Sequence, residues 1–101
     1  VPYRIYVPNS DETWMMVIDP ATYEVIKTVK VAGTPQHVVP SWDLKTLYVT
    51  NNTGNSLTPI DPMTSDRSGP DIPVDDPYNM YFTPDGKSGL VVAQARKRLD
   101  F

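Results

Sequence analysis

The chain contains no cysteine. That removes a disulfide framework, a thiolate metal site and a cysteine nucleophile. It has a single histidine, so it cannot assemble a histidine metal cluster by itself. Glycine is scarce, at five residues against eleven prolines, a balance that favours frequent turns over helices. The excess charge is small, a formal −3, too mild and of the wrong sign for a nucleic-acid surface. No apolar run approaches the roughly 20 residues of a membrane span. GxSxG, P-loop and CxxCH motifs are missing as well, which removes three familiar catalytic or cofactor signatures. What remains suffices for one small domain: 101 residues, 40% of them hydrophobic, can bury a core.

The strongest signal in the chain is that it repeats itself. LYVTNNTGNS, from Leu47 to Ser56, echoes IYVPNSDETW, from Ile5 to Trp14. Tyr6 and Tyr48, Val7 and Val49, and Asn9 and Asn51 stand at one fixed offset of 42 residues. The same offset joins Ile18 to Ile60, Asp19 to Asp61, Pro20 to Pro62, Thr22 to Thr64, Pro35 to Pro77, Asp43 to Asp85 and Lys45 to Lys87. A third copy opens at GLVVAQA, with Leu90 where the tyrosine stood. A period of this length points to a solenoid or a propeller array.

The local pattern decides between them. Short β-branched and aromatic runs are punctuated by Asn, Asp, Gly and Pro, and apolar residues do not recur at helical spacing. Strands are expected over Tyr3–Val7, Trp14–Ile18, Val25–Val31, His37–Pro40, Leu47–Thr50, Leu57–Ile60, Asp71–Val74, Asn79–Phe82 and Gly89–Ala93. NNTGN and TPDGK between them have tight-turn chemistry. Four strands per repeat is the size of one antiparallel propeller blade. The reading is therefore all-β: a propeller segment of four-stranded blades. Residues 1–36 supply strands two to four of one blade, 37–78 a blade-length repeat and 79–101 the start of the next. A blade covers its sheet faces only with neighbours, so the expected partners are further blades of the same propeller or copies of the chain. The phase of the repeat favours a segment of a longer ring.

The phrases LYVTNNTGNS, VKVAGTPQHVVPSWDLK and DPYNMYFTPDGKSGLVVA resemble the YVTN family of β-propeller repeats over nearly the whole chain. Departures are Pro8 for an expected threonine, Trp42 and Leu44 inside the first PDGK-like turn, Pro59 within a strand, and a polar, irregular stretch over 65–73. The resemblance implies an exported protein, at the cell surface, in the periplasm or secreted. It also implies either a binding or scaffold module or a propeller enzyme of lactonase-like or haem d1 type.

Candidate residues follow from alternating turns. The turns entering the inner strands (GTPQH, DDPYN) share one end with NSDE, NNTGN and QARKR, and in this fold class ligands meet that end. His37 could be a metal or haem ligand or a base. Its repeat counterpart is Asn79, which favours a plain hydrogen-bonding role. A haem or metal cofactor is implied only if His37 is a ligand. Asn51, Asn52 and their neighbours could bind polar ligands or could satisfy turn backbone. The Arg96–Arg98 cluster, in a loop at the same end, could receive an anion. Repeating Asp19, Asp61, Asp43 and Asp85 read as architectural. Tyr78, Tyr81, Phe82, Trp14 and Trp42 read as blade packing, with Tyr78 nearest the channel mouth. The contact set is thus Gln36, His37, Asn51, Asn52, Tyr78, Asn79, Arg96 and Arg98, facing a protein or small-molecule ligand, with no catalytic or metal set assigned.

Overall fold

A computed structural model describes residues 4–93 and 98–100. Every regular element among them is a strand. The first sheet contains β1 (Ile5–Pro8), β2 (Trp14–Ile18) and β3 (Val25–Lys30) in sequence order. The second runs β4 (Pro35–Pro40), β5 (Leu47–Asn51), β6 (Ser56–Asp61), with two short pieces, β7 (Asp66–Arg67) and β8 (Ile72–Pro73), both pairing with β6. The third contains β9 (Pro77–Phe82), β10 (Gly89–Ala93) and β11 (Arg98–Asp100). All pairings are antiparallel. The offset of 42 carries β4 onto β9 and β5 onto β10 residue for residue.

Alternation along the strands assigns each face a neighbour. Met15, Val17, Val29 and Val31 of the first sheet and its exit pack on Val49 and Ile60 of the second. The other face of the second sheet contributes Leu57, Val39 and Tyr48 to a cluster with Met80, Val91 and Phe82 of the third. The second sheet is thus covered on both faces, and β6 is buried from Ser56 to Ile60. The edges are tied too. Lys27 Nζ donates to Thr64 O at 2.9 Å and pairs with Asp66 at 3.2 Å. Arg67 donates to Lys30 O at 3.1 Å and to Asp71 at 2.8 Å.

Three differences from the sequence reading have local causes. Inner strands start at Pro35 and Pro77, two residues ahead of the expected His37 and Asn79, because proline is tolerated as a strand's first residue. Pro59 costs its sheet little. Its carbonyl accepts from Ser68 at 3.0 Å, so its missing donor faces the outer edge, where the strand is broken between β7 and β8. The equivalent outer strand of the first sheet, β3 beside Val17, is continuous apart from one bulge. Leu44 does not disrupt its turn. It adopts φ +62°, beside +73° for its counterpart Gly86.

Both turns are built from one frame. Ser41 Oγ and Lys45 N donate to Asp43 Oδ1 at 2.7 and 3.0 Å. Thr83 Oγ1 and Lys87 N do the same to Asp85 at 2.6 and 3.0 Å. The hydroxyl bond first, then the backbone bond, holds each carboxyl below the usual carboxylate range. Asp19 and Asp61 cap the other repeated turn, accepting from Ala21 N and Met63 N at 2.9 Å each.

Candidate functional site

Three loops meet at one end of the sheets: residues 31–34, 52–55 and 74–76. Gly54 N donates to Gly33 O at 3.0 Å, Asn52 N to Thr34 O at 2.9 Å, and Val74 N to Asn55 O at 3.1 Å. The Thr34 and Thr53 hydroxyls share a hydrogen bond of 2.7 Å. Asp76 N donates to Asn55 Oδ1 at 2.9 Å, and the Asn52 amide donates to the Asp76 carboxylate. The close approach requires glycine, since a Cβ on Gly54 would lie 2.7 Å from Gly33 N. These are the loops the repeat placed together, and their polar groups hold one another.

Beneath this rim the inner strands bulge. Gln36 is the extra residue of β4 between Pro35 and His37, and Tyr78 is the extra residue of β9 between Pro77 and Asn79. A bulged residue leaves the ladder and needs another hydrogen-bond partner. Tyr78 O finds two from the second sheet. His37 Nδ1 donates at 2.7 Å and Thr50 Oγ1 at 2.9 Å. The imidazole meets the Tyr78 ring edge-on, with centroids 5.0 Å apart at 75°. His37 N donates to Thr50 Oγ1 at 3.1 Å. Because a carbonyl can only accept, Nδ1 carries the proton, and Nε2 is the acceptor whenever the ring is uncharged.

The remaining candidates separate. Gln36, Tyr78 and Asn79 are half-buried beside His37. Asn79 Oδ1 accepts from Met80 N at 2.8 Å. Asn52 is half-buried in the rim, but Asn51 is fully buried. Its Nδ2 donates to Ser56 and Thr58 at 3.2 and 2.8 Å, Thr58 donates on to Asp71 at 2.7 Å, and Asn51 Oδ1 has no partner among the described residues. Arg96 lies outside the described residues. Arg98 opens β11 opposite Ala93, so it begins a strand instead of lying within a loop.

Thr50 went unnoticed in the sequence. The available signal was that Thr50 keeps the threonine of the YVTN phrase where Pro8 and Val92 depart from it. Two aromatic residues are exposed: Trp42 at 55% and Tyr81 at 56%. Trp42 sits on a turn, and Tyr81 is the counterpart of Val39, which faces the next sheet. Among the described residues, no three metal-ligating side chains come together, and no helix is long and apolar enough to cross a membrane.

The comparisons agree with this geometry. A chain of Kuenenia stuttgartiensis hydrazine synthase superposes with a TM-score of 0.72 at 22% identity, over 96% of this chain. This chain spans 31% of the length of that one, and at such identity the likeness concerns the fold. No curated protein matches. The profile of the YNCE-like beta-propeller covers residues 2–101, and the chain belongs to that family.

Proposed function

We propose that these blades form part of a YVTN-like propeller that works as a binding or scaffold module outside the cytoplasm. Its contacts are made by the rim over 31–34, 52–55 and 74–79. The observation that carries this reading is the mutual satisfaction of the rim: its amides, hydroxyls and the Asp76 carboxylate hold one another. A preorganised polar rim favours contact with a partner at low ordering cost. It offers no nucleophile hydrogen-bonded to a base. The extracytoplasmic setting rests on the YVTN resemblance alone.

One observation favours the second reading, a propeller enzyme. With Nδ1 anchored on a carbonyl, His37 presents Nε2 in the form a metal or haem ligand or a general base would need. Hydrazine synthase shows that an enzyme can carry this fold, which supports that possibility here without assigning its chemistry. His37→Ala in the intact protein separates the two. The binding module predicts unchanged metal content, haem absorbance and lactone hydrolysis. Loss of lactone hydrolysis favours the enzyme, and loss of metal or haem makes His37 a cofactor ligand. Fractionation of the intact protein tests the location, and recovery in the cytoplasm overturns it.

A further inference from the structure

Trp42 is a departure from the repeat that the architecture does not require. Its counterpart is Pro84, and both turns make the same hydrogen bonds. The indole nevertheless has a defined place. A Cβ on Gly86 would stand 2.2 Å from its Cδ1 and 2.5 Å from Cγ and Nε1. The five-membered ring therefore lies over the glycine of the next sheet, while over half of the side chain faces solvent.

The indole closes one side of an open cleft of about 260 Å³ between the second and third sheets, at the end opposite the rim. Tyr48 and Phe82 line it too, with ring centroids 6.5 Å apart and planes tilted by 40°. Asp43 and Thr46 complete the wall. Within the turn, Ser41 Oγ and Lys45 N donate to Asp43 Oδ1, and Thr46 N donates to Ser41 Oγ at 3.1 Å. The cleft offers three aromatic side chains and the Asp43 carboxylate, with no lysine or arginine in its lining, although the Lys45 charge lies near enough to act on Asp43.

We propose that this cleft binds a quaternary or fully methylated ammonium group, with Trp42, Tyr48 and Phe82 as its aromatic wall and Asp43 as its counter-charge. Such a cation has no N–H to satisfy and is attracted to aromatic faces, most strongly to indole. The site is independent of the rim, so its failure leaves the proposed module untouched.

The test is titration of the intact protein with tetramethylammonium chloride at constant ionic strength, following the Trp42 indole N–H by NMR. Saturable shifts at Trp42 and at the Tyr48 and Phe82 rings are expected, with little response to ammonium or sodium chloride. Trp42→Pro installs the residue that the sister turn already accommodates and should weaken binding by about tenfold with the fold retained. Trp42→Ala serves as the second variant with the same expectation, and Trp42→Phe should bind at intermediate strength. Absence of saturation, equal response to ammonium, or undiminished binding in Trp42→Pro or Trp42→Ala overturns the proposal. Saturation by methyl glucoside in place of tetramethylammonium also overturns it and makes the cleft a sugar site.

Discussion

The turns Ser41–Thr46 and Thr83–Ser88 hold the same hydrogen-bond frame around different residues. In the later turn, Pro84 presets one dihedral and Gly86 takes the left-handed conformation without a Cβ. In the earlier one, a tryptophan and a left-handed leucine occupy those positions. The hydroxyl–carboxylate–amide frame therefore sets the turn, and the other two positions are free to vary. The earlier turn uses that freedom to place an indole on its neighbour. Leu44 meets no comparable need, and nothing in the structure accounts for its choice.

The largest effect should come from exchanging the small partner. Gly86→Ala adds a Cβ both where the indole lies and at positive φ, and should cost about 3 kcal/mol in denaturant unfolding. In a Trp42→Pro background the clash disappears, and the cost should fall to about 1 kcal/mol. An unchanged cost there would mean that the indole does not rest on Gly86. A second pair of repeat equivalents sharpens the contrast between surface and interior. Asn51→Ala removes a buried amide with two hydrogen bonds and should cost about 2 kcal/mol. Asn9→Ala removes only a 3.4 Å turn contact and should stay within about 0.5 kcal/mol. Equal costs would show that the buried tract of Asn51, Thr58 and Asp71 is not specific to the second sheet.

Smaller and opposite in sign is Leu44→Gly, which relieves left-handed strain at an exposed site and should raise stability by about 0.5 kcal/mol. A loss would mean that Leu44 makes a contact that matters. The smallest effect is a matter of pH. Asp43 and Asp85 have folded-state pKa values below the ordinary carboxylate value of about 3.9. Their contribution is therefore full above that value and lost as pH falls through the folded-state value. Asp43→Asn and Asp85→Asn should each flatten the acid limb of the stability profile to a similar extent. If only one does, the two frames are not equivalent.

Most of the strand pattern was legible because alternation, turn residues and the repeat all point the same way. The exceptions are informative. The pieces Asp66–Arg67 and Ile72–Pro73 are each too short to carry a periodic signal, and the break between them faces the missing donor of Pro59. Arg98–Asp100 is polar enough to read as loop, yet it occupies the place of the start of β6. At the rim, the loops' shared location followed from strand counting, but the burial of Asn51 did not. Its counterpart Asn9 lies near the surface, with Trp14 and Met16 where Asn51 has the hydroxyls of Ser56 and Thr58. The bulges at Gln36 and Tyr78 were invisible because each follows the first residue of its strand, with no preceding alternation for the extra residue to break. Trp42 reads as blade packing in the sequence, and its indole does lie on Gly86 of the next sheet; the sequence does not show how much of the ring stays exposed.

The double acceptance at Tyr78 O has a consequence for how blades succeed one another. Only the second sheet brings a histidine and a threonine to that carbonyl. The residues equivalent to Thr50 are Pro8 and Val92, neither of which carries a hydroxyl, and the residue equivalent to His37 on the third sheet is Asn79. A neighbour lacking the Thr50 hydroxyl would leave the carbonyl one hydrogen bond short, at a cost of about 1 kcal/mol. This seam is therefore addressed: among the three described sheets, the second alone carries both halves of its lock.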